Sequence, residues 1–554
     1  MATGCDDLPD PSLADRTNVH RRAPFTIGLL TPPSERKRAP LVNLDEREKK
    51  RVKLSWSSQK TAPDSLSCSD SEDEGVVTGY KQNASRYSVY RLKNRASVAG
   101  PSSVSHQREL PTQSILQTFV SSNKTDVFRC YSDHERAYVN IPYACSYSNA
   151  ARRGETPLLA VATEQGTVDI LNTSKRAQWD VEPQRTTVQP HANGIFDVKW
   201  SPSDTLLATA SGDHSVRITT LSSAVPLRER TLHTLRGHEG TVKSIAWDPA
   251  HDGAVLCSGG RDGQICLWDL RAGEQAGGGI VAPVLCVPKA HESERKPAKP
   301  KARRGKVVAG APSASITHLL YTDTHPHGII SSSSSDGILH LWDVRLPSSS
   351  ASAKSKKAAK QRQIPLFTSS DPTTYDGTRR ARGITTLAPG TGPTAALVFA
   401  LGSDSRVHTY TLPSLIPLSG HAPTLSFRAD TDAMDDPHAF GHPRMKTTSF
   451  YVRMATSPCG RWLAAGGVAE GRAYLYDVTA AGRARDAGRA WSGQGIELRG
   501  QTGEVGAVDW ADGMLATCAD DGTVRVWRPD MEVSRQCKAD PEEMKWNWAW
   551  SMDA

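Results

Sequence analysis

The sequence predicts an all-β chain: a seven-bladed β-propeller that follows a long disordered N-terminal extension. Three observations carry this. A short motif recurs seven times between residues 165 and 527. The segments around it alternate apolar and polar residues at period two, as half-buried strands do. Residues 1–108 hold no sustained apolar period and are rich in Ser, Pro, Arg and Lys. Such a composition buries too little surface to offset the entropy of ordering.

The repeat is found by aligning the chain on a turn residue: Gln165, Asp213, Asp262, Asp336, Asp404, Glu470 and Asp521. Three positions on stand Val168, Val216, Ile265, Leu339, Val407, Ala473 and Val524. Six positions on stand Leu171, Thr219, Trp268, Trp342, Tyr410, Tyr476 and Trp527. The intervals of 48, 49, 74, 68, 66 and 51 residues describe a unit slightly over 40 residues long, with insertions in several copies. Upstream of the turn lie strand patterns such as Ile195-Phe196-Asp197-Val198-Lys199-Trp200 and Leu206-Leu207-Ala208-Thr209-Ala210. Four short antiparallel strands per unit, repeated radially, make a propeller blade. Gly237-His238 and Trp268-Asp269, one in each half of a unit, are the WD-repeat signature, so the ring is expected to be a WD40 propeller.

That signature has a structural purpose. A His in the loop entering a blade, a Ser or Thr on its second strand, the turn Asp and the Trp can form one hydrogen-bonded line. It satisfies buried polar groups that would otherwise cost ~1–3 kcal/mol each. His191 and His238, with Asp213, Asp262, Asp336 and Asp521, are therefore read as framework and tight-turn residues, not catalytic ones.

The ring is assigned to residues 137–530, with a leader over 109–136 that packs on the propeller or on a partner, and a short C-terminal tail over 531–554. Insertions fall at 288–314 and 346–382, with outer strands expected over Ile280 to Val287 and near Ile364 to Phe367. Eight basic residues against two acidic ones occupy 289–306, and five more basic residues lie in 354–362. The net charge of +8 is thus local. Lys296, Lys299, Lys301, Arg303, Arg304, Arg379, Arg380 and Arg382 are candidates for contact with DNA phosphates or an acidic protein. In the extension, Lys49, Lys50, Arg51 and Lys53 form a nuclear-import candidate. Ser67 to Glu74 and Thr31-Pro32 are phosphorylation candidates.

Several classes of chemistry find no support. There is no P-loop, no second His after His238-Glu239 for a zinc protease helix, and no Gly-x-Ser-x-Gly elbow. No apolar run approaches the ~20 residues that span a bilayer, and the first residues lack a signal-peptide layout. The ten cysteines include no Cys-x-x-Cys pair. Cys145, Cys257, Cys266 and Cys518 sit in apolar runs as buried small hydrophobes. No metal site, cofactor or catalytic residue is expected, and no membrane partner.

Two units end differently from the others: Trp268-Asp269-Leu270-Arg271 and Trp342-Asp343-Val344-Arg345. At the arginine's offset the rest have Ser174, Ser222, Pro413, Thr479 and Asp530. The arginine falls in the turn after the third strand, on the face opposite the His-bearing loops. Two on consecutive blades would form one patch able to make bidentate hydrogen bonds to a partner.

This pair resembles the adaptor-binding motif of WD-repeat substrate receptors for cullin-4 RING ubiquitin ligases. Further residues resemble the denticleless/Cdt2-type receptors in particular. They are Leu110 to Leu116, Ile195 to Trp200, Ser258-Gly259-Gly260-Arg261-Asp262-Gly263, Ala290-His291 before a Lys/Pro-rich loop, Ser449-Phe450-Tyr451-Val452 and Ala519 to Val524. The resemblance covers about 108–530. It implies a nuclear receptor that docks on the large damage-binding-protein subunit through Trp268, Asp269, Arg271, Trp342, Asp343 and Arg345. The opposite face would present replication proteins held on the sliding clamp PCNA, such as the licensing factor Cdt1, in S phase and after DNA damage. No counterpart is seen of the long C-terminal tail in which some relatives carry clamp-binding elements. The alternative is a nuclear WD scaffold that binds histones or nucleic acid through its basic loops, without a ligase.

Overall fold

Each repeat folds as an antiparallel meander, and the innermost strands Pro142–Tyr147, Ile195–Trp200, Val242–Trp247 and Val505–Ala511 are buried along nearly all of their length. The computed structural model describes residues 112–552 apart from 133–137, 223, 227–228, 273–278, 293–313, 326, 346–362, 376–379, 419–437 and 480–494. The unit containing Trp268 consists of Val242–Trp247, Val255–Gly260, Ile265–Asp269 and Leu285–Val287, paired in that order. In its third strand Cys266 and Trp268 are buried while Leu267 and Asp269 are half-exposed. Four-stranded sheets also span 142–188, 316–368 and 384–441, and a five-stranded one begins at Ile195. The architecture is an all-β propeller.

The first pairing of a unit is offset at its start by one residue at Pro142/Ala144, Ile195/Asp197, Val242/Ser244, Ile316/His318, Ile384/Thr386 and Val505/Ala507. A bulge there increases local twist, which lets innermost strands fan around a ring. Neighbouring units are tied at these strands. Asp197 accepts from the Ile245 amide at 2.9 Å and Asp509 from the Tyr147 amide at 2.7 Å. Trp200 donates its indole N–H to the Ser146 carbonyl at 2.8 Å. The apolar cores lie between units: Ala208 and Ile218 of one pack with Ile245, Leu256 and Trp268 of the next.

Three expectations are corrected here. The outer strand expected over Ile280 to Val287 is two strands. Ile280–Val281 runs parallel to Thr231–Arg236 of the preceding unit, and Leu285–Val287 completes its own. Pro283, lacking an amide proton, stands between them and breaks the run. The outer strand near Ile364 is only Phe367–Thr368.

The chain ends hold the third. Residues 531–552 are not a tail but the helices Met531–Ala539 and Pro541–Met544 and the strand Trp548–Met552. Asp530 caps the first helix by accepting from the Val533 amide. The leader, too, is part of the sheet. Phe119–Ser122 lies between Thr523–Pro529 and Trp548–Met552, and Val127–Arg129 continues along the same edge of 523–529. Trp548–Met552 pairs onward with Ile496–Arg499, which joins the strands between Met454 and Met552, together with the two leader strands, into one ten-stranded sheet. In the C-terminal strand Ala549 and Ser551 are buried and the tryptophans are half-exposed. The large apolar residues do not mark its inner face, which is why the pattern does not announce a strand.

Candidate protein-docking site

The two motif turns are built from the inside outward. Trp268 is fully buried and donates from Nε1 to Ser258 Oγ at 2.8 Å. Ser258 Oγ lies 2.7 Å from His238 Nε2, and His238 Nδ1 lies 3.0 Å from Asp262. The line has one consistent proton order: Nδ1–H donates to the carboxylate, so Nε2 accepts from the Ser hydroxyl, which accepts from the indole. Gly260 makes room for it, since a Cβ there would lie 2.6 Å from Asp262 Oδ1 and 2.7 Å from His238 Nδ1. Burial opposes ionisation of Asp262, but His238 together with the Gln264 and Glu239 amides outweighs it and holds the carboxyl below its ordinary range. Asp213 is depressed in the same way, with His191 Nδ1 at 2.8 Å and His191 Nε2 on Thr209 at 2.9 Å.

This sets a pH dependence. A carboxyl depressed by folding stabilises above its unfolded value and loses that contribution as the pH falls through the folded one. Asp262→Asn is expected to cost about 1–3 kcal/mol at pH 7. The gap from wild type should shrink below about pH 4, as read by denaturant melts at pH 7 and pH 3. An equal gap at both values would show that the carboxylate charge is not what matters.

The line is not repeated where Asp336 and Asp521 stand. Trp342 and His291 both meet Ser331 at 2.8 Å, but Asp336 accepts from Ser333, Ser335 and the Ile338 amide within its own turn. In the last unit Trp527 donates to Thr517, and Thr517 to Gln501 Oε1 at 2.7 Å. Gln501 takes the histidine's place. Asp521 accepts from the Thr502 amide and from Thr523. A glutamine carries no signature in sequence, and the roles of His291 and Gln501 emerge only from contacts.

At the far end of the same third strands the motif arginines emerge. Asp269 accepts from the Arg271 amide at 3.0 Å, from Nε at 2.9 Å and from Nη2 at 2.8 Å. Asp343 does the same for Arg345 at 2.9, 3.3 and 3.2 Å. Each arginine side chain is 61% exposed. The aspartates clamp the Nε–Nη2 edge of each guanidinium, so a group meeting the Nη1 edge would find the side chain already ordered. Asp269 is held below its ordinary range first by the Arg271 hydrogen bond; for Asp343 burial works against ionisation, and Arg345 overcomes it.

Both turns rest on the loops that join the first two strands of their units. The Leu270 amide bonds the Ala254 carbonyl, and the Val344 amide bonds the His327 carbonyl. His251 and His327, one from each loop, bring their rings to 6.0 Å, and His251 Nδ1 is 2.8 Å from Asp248. This contact links the two motif-bearing units on the face away from His238. The sequence reading missed both histidines, because a His in a turn is not distinguished there from a solvated one.

Of the basic-loop candidates, Arg380 and Arg382 are exposed, and the Arg382 amide donates to Thr373 Oγ1 at 3.0 Å. Lys296, Lys299, Lys301, Arg303, Arg304 and Arg379 lie outside the described residues, as do Lys49, Lys50, Arg51, Lys53 and the phosphorylation candidates. Among the described residues no group of three His, Cys, Asp or Glu side chains is placed to hold a metal ion.

The WD domain, G-beta repeat family matches at residues 182–219, 229–269 and 494–528. Denticleless protein homolog B of Xenopus laevis is 29% identical over 430 residues, 76% of this chain and 52% of that protein. Protein lethal(2)denticleless of Drosophila melanogaster is 28% identical over 390 residues, 68% of this chain and 44% of its own length. The cell division cycle protein cdt2 of Schizosaccharomyces pombe is 29% identical over 408 residues, 71% of this chain and 70% of its own. The chain spans about half the length of most of the curated relatives it matches. Repeats, sheet order and these likenesses agree: the chain is a WD40-repeat propeller with homologues named denticleless and Cdt2.

Proposed function

We propose that the chain is a non-catalytic substrate receptor of a cullin-4 RING ubiquitin ligase, docking on the ligase adaptor through the turns that carry Arg271 and Arg345. The observation that carries this reading is the pair of Asp-clamped, exposed guanidinium groups on neighbouring units, joined by the His251–His327 contact. We read the ten-stranded sheet as two blades bridged by the C-terminal strand, which makes the ring seven-bladed. The face with His191 and His238 then presents substrate: replication and cell-cycle proteins bound to PCNA, of which the licensing factor Cdt1 is the expected example. Arg380 and Arg382 lie on that substrate face and meet DNA or chromatin. The setting is the nucleus, reached through Lys49 to Lys53.

The test is a pull-down of the adaptor with the wild-type chain and with an Arg271→Ala/Arg345→Ala double variant. Both side chains are exposed, and surface substitutions of this kind usually shift stability within about 0.5 kcal/mol. The melting temperature should therefore be unchanged while adaptor capture falls at least tenfold. A wild-type chain that captures no adaptor overturns the ligase reading. A double variant that captures it undiminished moves the docking site elsewhere.

A further inference from the structure

One pair of nucleophilic side chains has no part in the docking geometry. Cys266 and Cys286, twenty positions apart, are direct cross-strand partners in the third and fourth strands of the unit that carries Trp268. Their sulfurs approach to 3.4 Å. Opposed residues in an antiparallel pair have Cα atoms ~4.5–5.5 Å apart, inside the ~4.4–6.8 Å that a disulfide spans. Bridging therefore requires no movement of the backbone.

The two thiols are unequal. Cys266 is fully buried and Cys286 is exposed on the outermost strand. Either sulfur can donate in this contact; with Cys266 as the donor, the Cys286 thiol is lowered and the Cys266 thiol is raised, and burial adds to the latter. The attacking sulfur is Cys286, the one that solvent and a peroxide reach. The other described cysteines provide the contrast. Cys130, Cys145, Cys257, Cys518 and Cys537 are buried, and Cys459 is exposed beside the Ser457 hydroxyl at 3.2 Å.

We propose that Cys266 and Cys286 form a peroxide-responsive dithiol that closes to an intramolecular disulfide. The Cys286 thiolate attacks a hydroperoxide oxygen; the O–O bond breaks, water or an alcohol departs, and Cys286 becomes a sulfenic acid. Cys266 sulfur then attacks Cys286 sulfur. The S–O bond breaks, and the Cys266 proton leaves with the hydroxide as water. Two thiols are oxidised by two electrons and one peroxide is reduced. The loop so closed contains Trp268 to Arg271, so the bridge ties the strand ending in that turn to the blade's outer edge. The dithiol does not depend on which protein docks at the turn.

The test uses the full chain, reduced, exposed to hydrogen peroxide, then digested without reductant and read by mass spectrometry. A linked peptide pair containing Cys266 and Cys286 should appear, two hydrogens lighter than the separate peptides and released by dithiothreitol. Cys286→Ser, at an exposed position, should abolish it without disturbing the core. In Cys266→Ala, Cys286 should instead accumulate as sulfenic acid, with dimedone labelling at least tenfold above wild type. The proposal is overturned if Cys286 stays reduced or proceeds to sulfinic acid, unbridged, at a peroxide dose that oxidises Cys459. It is equally overturned if Cys286 is found bridged to a different cysteine.

Discussion

Phe119→Ala is expected to lower stability by about 3–5 kcal/mol, the range for deleting a large buried aromatic ring. Phe119 is fully buried, and its ring meets Trp462 edge-on at 6.0 Å and Trp510 at 5.7 Å. Those rings belong to the two meanders at the end of the repeat series, so one leader residue fills the space between them. The same segment pairs Phe119 with Pro529 and Val120 with both Arg528 and Trp550. Loss of the ring leaves a cavity where three parts of the chain converge, and the strand has few other apolar anchors. A denaturant melt followed by tryptophan fluorescence reads the effect, with Trp546→Ala as the comparison. Trp546 is 74% exposed, and its replacement should change stability by no more than about 0.5 kcal/mol. A Phe119→Ala cost below about 1 kcal/mol would mean that the leader strand does not close the ring.

The second large effect is expected at Arg453. Its Nη1 lies 3.0 Å from His318 Nδ1, and its Nη2 donates to the Phe196 carbonyl at 3.1 Å and the Lys243 carbonyl at 2.8 Å. These three acceptors lie on the innermost strands of three successive units, none of them the unit that begins at Met454. Arg453 is therefore a strut between units distant in the ring. Burial lowers its pKa and also holds His318 well below the ordinary histidine range, with the Arg453 charge adding to the latter. Neutral His318 can accept from the guanidinium, which a protonated ring could not. Arg453→Met keeps much of the volume and strands these acceptors, each costing ~1–3 kcal/mol unless water replaces the donor. We expect a loss of about 2–4 kcal/mol on that basis. Arg453→Lys should recover less than half, because a single ammonium cannot reach three fixed acceptors as a planar fork does. The His318 pKa, followed by NMR, should rise in Arg453→Met. A stability loss below about 0.5 kcal/mol would show that water already satisfies these acceptors.

What the sequence determined by itself is what depends on near neighbours. Period-two alternation produces the strands, and an Asp or Gly at each turn sets the reversals. Ser258, Asp262 and Trp268 fall within one meander and His238 in the loop that enters it, so their line and the Arg271 clamp that follows are local consequences of one repeat. The 48- and 49-residue spacing reveals the ring for the same reason. Tertiary structure decided everything that depends on which distant segment arrives at an edge. Nothing in Phe119-Val120-Ser121-Ser122 distinguishes a strand of the ring from a leader lying on it; the open edge of 523–529 selects it. The strand Trp548–Met552 exists because small residues at Ala549 and Ser551 let it lie flat between two other strands, against its own apolar pattern. Arg453 reaches carbonyls more than 200 positions away, and Gln501 replaces a histidine without any change in spacing. A backbone edge presents the same donors and acceptors whatever its side chains, so pairing across the ring is settled by geometry and packing, where local patterning is silent.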